Sequence, residues 1–167
     1  GKNIVRAFSN TQPTALYACC DADQNRLQQI KTSYPGIQAY TSYDTLLQDT
    51  KVDAIAIATP SPTHFMLARQ ALASGKHVYV EKPCSHNVRE GRLMIEAARR
   101  NKRVMQVGTQ SRSTRHVMKA MELLRNGAIG RVLVSKAWNS QKRSSIGKAK
   151  PGAPPAHLDF DTWLGPA

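Results

Sequence analysis

A chain of 167 residues can bury one full core, or one domain and the opening of a second. It has no run of eighteen apolar residues and no leader-like segment, which excludes a membrane span and leaves a soluble, by default cytoplasmic, protein. The formal charge of +13 is scattered over 99–103, 112–119 and 148–150 without zinc-finger, RNA-binding or helix-turn-helix spacing. No specific nucleic-acid partner is therefore expected, and the charge suits an anionic cofactor or substrate equally well.

In chain order, "KNIVRAF" (2–8) reads as a helix and "ALYACCD" (15–21) as a short buried strand closed by an acid. Cys19, Cys20 and Cys84 show no C-x-x-C, and their odd number argues for reduced cysteines serving as small hydrophobes. "DQNRLQQIKTSY" (23–34) puts Leu27 and Ile30 on one helical face before the Pro35-Gly36 stop, and "YDTLLQD" (43–49) is a short helix. "VDAIAIATP" (52–60) is the clearest buried strand. A helix follows over 61–75, with Ser61 as its N-cap, Pro62 in the first turn and Gly75 at its end. "HVYV" (77–80) is the next strand, and 87–101 a helix in which Asn87 and Glu90 are spaced as a capping box. A strand at 103–108 and a helix at 114–127 complete the alternation.

This alternation predicts an α/β fold, a Rossmann-type doubly wound parallel sheet covered on both faces and lacking its first strand. The domain assignment is 1–128 for that fold, with 129–167 opening a second, α+β domain, because the alternating run "IGRVLVSKAWN" and a Pro/Gly-rich loop break the pattern. Both ends read as cut, so the chain is expected to be a fragment. No histidine spacing suggests a metal.

Ligands of open α/β sheets bind beyond the carboxyl ends of the strands. Those ends read Asp21, Thr59-Pro60, Glu81-Lys82-Pro83 and Gly108-Thr109-Gln110. Any one of them is an ordinary polar strand exit; four in strand order are harder to dismiss. Gly1 precedes Asp21 by the interval that separates a dinucleotide-binding glycine loop from the acid on the adenosine ribose, so Gly1 reads as the last glycine of such a loop. The acid favours NAD over NADP, whose 2′-phosphate would meet a like charge.

"ATPSPTH" (58–64), "ALASGKHVYVEKP" (71–83) and "VGTQSR" (107–112) together closely resemble the Gfo/Idh/MocA oxidoreductases, the family of glucose-fructose oxidoreductase and inositol dehydrogenase. The resemblance runs from Gly1 to about Ala137, and "LDFDTWLGPA" (158–167) resembles members with carbohydrate-type substrates. It implies an NAD(P)-dependent oxidoreductase acting on CH–OH groups of a small-molecule carbohydrate or polyol, homo-oligomeric at full length. By the same resemblance Lys82 is the catalytic lysine, held to the reacting hydroxyl, and the Lys82–Pro83 bond is of a kind often cis. Thr59, Pro60 and His64 would line the cofactor with Pro83, while Glu81 and Gln110 would sit near the nicotinamide. His64 also admits a plain reading as a helix-surface residue, and Arg112 one as a solvated charge. The family's second catalytic segment, an Asp and a His on a later helix, would lie beyond residue 167, so this chain alone is expected to be inactive. The rival reading is a redox-inactive dinucleotide-binding or regulatory protein on the same fold.

Overall fold

The computed structural model describes residues 2–10, 16–138, 144–145, 147–148 and 150–164; Gly1 lies outside them. The chain divides into two units, Gly1–Gly108 with Thr162–Ala167, and Thr109–Asp161. In the first unit α1 (Lys2–Ser9), β1 (Ala18–Cys20), α2 (Gln24–Ser33), β2 (Gln38–Tyr40) and α3 (Tyr43–Gln48) lead to β3 (Ala54–Ile57). Then come α4 (His64–Ala73), β4 (His77–Glu81), α5 (Val88–Arg100) and β5 (Met105–Gly108). The second unit holds a 3-10 turn over Gln110–Ser113 and α6 (Arg115–Arg125), a helix that the sequence had assigned to the first domain. A last short helix, α7 (Phe160–Leu164), follows the Pro/Gly-rich loop. No described helix is long and apolar enough to cross a membrane.

Every strand pairing among the described residues is parallel. β1 pairs with β2, and β3, β4 and β5 form a second sheet in that order, with Ile55 opposite Val78 and Glu81 opposite Gly108. Parallel neighbours need a crossover, and α2, α4 and α5 supply them. This is the Rossmann arrangement expected from the alternation of elements. One core serves both sheets: Leu72 and Val80 are fully buried with Ile57, Val78 and Met94 around them, and Tyr17, Ala18, Cys20 and Tyr40 pack against that cluster.

Two details differ from the sequence reading. β2 was not anticipated, because its three residues carry one exposed Gln38 and two half-buried neighbours and so have no apolar run. Burial along β3 and β4 alternates instead of running continuously: Ile55, Ile57, Val78 and Val80 are buried, while Ala54 and Ala56 are exposed. The buried side faces α4, which packs on β3, β4 and α5. The opposite side carries α1, whose Phe8 ring meets Tyr79 edge to face at 6.2 Å. The three cysteines are free thiols, and burial pushes the thiols of Cys19 and Cys20 upward in pKa, as suits small packing residues.

Candidate active site

The first group at the carboxyl edge is Asp21. Its backbone amide donates to the Tyr40 carbonyl at 3.2 Å, so the β1–β2 ladder continues one step beyond the strand and fixes the residue. One carboxylate oxygen accepts from the Asp23 amide at 3.0 Å, while the other lies 3.9 Å from the Arg26 guanidinium, a long, exposed pair. Asp23 in turn caps α2 by accepting from the Asn25 and Arg26 amides. Asp21 therefore keeps acceptor capacity for a diol, at a helix start rich in backbone donors.

At the exit of β3 the chain does not enter an α-helix at Ser61, as the capping pattern suggested. Ser61–Thr63 form a single 3-10 turn and α4 starts at His64, without a side-chain cap. The Thr63 hydroxyl donates to the Pro60 carbonyl at 2.8 Å. Its only hydrogen being committed, the 2.7 Å contact with Thr59 must have the Thr59 hydroxyl as donor. Thr59 and Pro60 are both exposed, and Thr59 Oγ1, donating to Thr63, keeps its acceptor capacity. Sequence reasoning named Thr59 but missed Thr63; the signal was a second threonine four residues on, within reach of the same short turn.

His64 is only 2% exposed, which overturns its reading as a surface residue. Its Nε2 lies 2.8 Å from the Thr59 carbonyl and its Nδ1 2.8 Å from the Pro83 carbonyl. The ring thus joins the exit of β3 to the exit of β4.

At that second exit the Lys82–Pro83 peptide bond is cis. The Lys82 amide donates to Glu81 Oε2 at 3.1 Å, folding the Glu81 carboxylate back over its own turn, and Lys82 itself is exposed. Gly108 is buried opposite Glu81. A Cβ there would stand 2.8 Å from the Tyr79 hydroxyl and 3.1 Å from the Glu81 carboxyl carbon, so only glycine leaves room for both side chains. Tyr79 was not singled out in the sequence, since a tyrosine in a strand is ordinary; its role comes from the register that sets β4 beside β5.

Thr59, Pro60, His64, Glu81, Lys82 and Pro83 are thus gathered around two neighbouring strand exits of one unit, with Asp21 ending β1 in that unit. Gln110 and Arg112 stand in the 3-10 turn that opens the second unit, both exposed. Gly1 is outside the described residues. No cluster of metal-ligating side chains occurs among the described residues.

Comparison with known proteins agrees with the fold. The family model for Gfo/Idh/MocA, described as an oxidoreductase family with an NAD-binding Rossmann fold, matches residues 1–109. Myo-inositol 2-dehydrogenase from Thermotoga maritima is 32% identical over 116 residues, 70% of this chain and 35% of that protein. Among solved structures, myo-inositol 2-dehydrogenase from Lactobacillus plantarum superposes with a TM-score of 0.73 at 28% identity, covering 79% of this chain and 40% of that one. The WlbA dehydrogenase from Bordetella pertussis, solved with NADH and UDP-GlcNAcA, gives 0.72 at 27% identity, covering 78% and 38%. The chain spans less than half the length of the curated relatives it matches.

Proposed function

The chain belongs to the Gfo/Idh/MocA oxidoreductases, a family with an NAD-binding Rossmann fold, and from that premise we propose that the protein oxidises a hydroxyl, or reduces the matching carbonyl, of a sugar or polyol with NAD. The observation that carries the proposal is the exit of β4, where Lys82 is exposed and follows a strand paired in parallel with β3, whose own exit carries the exposed Thr59. Relatives named for inositol dehydrogenation and a dehydrogenase complexed with a nucleotide sugar support the substrate class.

NAD bound at this edge supplies the hydride acceptor. Asp21 fits its adenosine ribose, since the oxygen facing Arg26 at 3.9 Å has acceptor capacity to spare for a hydroxyl. The same carboxylate would repel a 2′-phosphate, which favours NAD over NADP. Lys82 acts on the substrate's oxygen: as the hydride leaves the carbinol carbon for NAD and the hydroxyl proton passes to solvent, its ammonium donates to that oxygen and stabilises the developing alkoxide. In the reverse direction it polarises the carbonyl.

The test uses the full-length protein. Lys82→Ala should lower turnover of its sugar or polyol by about 10²-fold or more, while NAD titrated calorimetrically still binds, and more tightly than NADP. Turnover retained by the variant would remove Lys82 from the chemistry. Saturable NAD binding without turnover of any sugar or polyol would favour the redox-inactive reading.

A further inference from the structure

His64 is the most buried polar side chain at these strand exits, and both of its ring nitrogens lie 2.8 Å from backbone carbonyls, those of Thr59 and Pro83. A carbonyl oxygen only accepts. Two such bonds therefore form together only when each nitrogen carries a hydrogen, that is, when the ring is an imidazolium. In a neutral ring one contact would set a nitrogen lone pair against an oxygen lone pair.

His77 shows the alternative. Its Nδ1 faces the Val104 amide at 3.0 Å, a donor, so a neutral ring serves there. Among the described residues, the two hydrogen bonds of the His64 ring run to main chain and none to a carboxylate or other side chain. Both of those carbonyls belong to the segments that present Thr59 and Lys82. Pro83 is bonded directly to Lys82, so restraining the Pro83 carbonyl restrains the base of the lysine side chain.

We propose that His64 is a cationic clamp between the exits of β3 and β4, a positioning residue that holds Lys82 where the substrate oxygen must sit, and not a ligand of the cofactor. The proposal rests on the reading of Lys82 as the catalytic lysine. It differs from the role that the family resemblance implied for His64, a lining of the cofactor pocket, because neither ring nitrogen is left over for a ligand.

Two measurements on the full-length protein test it. The first needs no substitution: with histidines labelled in ¹⁵N, the His64 ring in the native protein should show a hydrogen on each nitrogen. A ring with one unprotonated nitrogen would overturn the clamp. The second compares His64→Phe, which keeps a planar ring without donors, with His64→Gln, which keeps one donating group. For His64→Phe, kcat should fall by about 10²-fold, the cost of a misplaced catalytic group, with a smaller loss for His64→Gln. The dissociation constant for NAD should stay within about twofold. A weakened NAD affinity with kcat preserved would overturn positioning in favour of cofactor contact, and unchanged kinetics would overturn it outright. Lys82→Ala, assayed in parallel, separates the failures. If it keeps turnover, the catalytic reading of Lys82 falls, while the ¹⁵N spectrum still decides whether the clamp exists.

Discussion

Gly108 closes β5 directly opposite Glu81, and its missing side chain allows Tyr79 and the folded-back Glu81 carboxylate to share the space above it. Its φ is not in the left-handed region, so the requirement is one of close approach and not of backbone conformation. Gly108→Ala should therefore destabilise the fold by about 1–3 kcal/mol through overpacking, read as a lower denaturant midpoint at constant m. The nearest atom to the added methyl is the Tyr79 hydroxyl at 2.8 Å. In a Tyr79→Phe background the same glycine substitution should cost less, by about 0.5 kcal/mol or more. An unchanged cost in that background would point to the Glu81 carboxylate, and not to Tyr79, as the neighbour that yields.

Among the elements, α5 begins soon after Lys82–Pro83 and anchors the far side of that turn. Asn87 caps it by accepting from the Glu90 amide at 2.9 Å, the expected half of a capping box. The reciprocal half is displaced by one residue: Glu90 Oε2 accepts from the His86 amide at 2.8 Å and contacts the His86 ring at 3.2 Å. Glu90 in the first turn and Arg99 and Arg100 in the last also match the helix dipole. Asn87→Ala should lower stability by about 1 kcal/mol in chemical denaturation, and Asn87→Asp should restore most of it. No loss in either variant would mean that Glu90, and not Asn87, carries the cap.

Across the whole first unit, Asp49 ties the two sheets together at the end of α3. Its Oδ2 accepts from Tyr40 at 2.6 Å and Tyr17 at 2.9 Å, while its main-chain carbonyl accepts from the buried Lys76 at 2.7 Å. Tyr17 and Tyr40 belong with β1 and β2, and Lys76 leads into β4. The Tyr40 hydrogen bond, with the Lys51 amide and Tyr17, holds the Asp49 carboxyl below its usual range. The same carboxylate raises Tyr17 and pushes Tyr40 up to about 12. A carboxylate with a depressed folded value contributes stability above its unfolded value, near 3.8, and that contribution is lost as pH falls through the folded value. A tyrosine with a raised value contributes fully below its unfolded value of 10.0, and loses that contribution as pH rises through about 12. Stability should therefore decline both in strong acid and above pH 10, and Asp49→Asn should flatten both limbs of the melting-temperature profile. An unaltered alkaline limb would show that the tyrosines titrate independently of Asp49.

The sequence by itself determined the alternation of helices and strands apart from β2, the parallel α/β class and the residues at four strand exits. Those properties are carried by short-range signals: apolar runs such as that of β3, the cap Asn87, and the stops at Pro35-Gly36 and Gly75. The motif around Glu81-Lys82-Pro83 was legible for the same reason, because its residues are contiguous. Only the tertiary structure decided what those residues touch. β2 escaped notice because three partly buried residues have no periodicity, and it exists through pairing with β1. His64 could not be told from a surface histidine until the β3 and β4 exits were set side by side with a carbonyl for each ring nitrogen. The Asp49 cluster and the Gly108–Tyr79 approach likewise join residues distant in sequence. Periodicity and spacing report what a residue is beside along the chain; register and packing alone report what it faces across it.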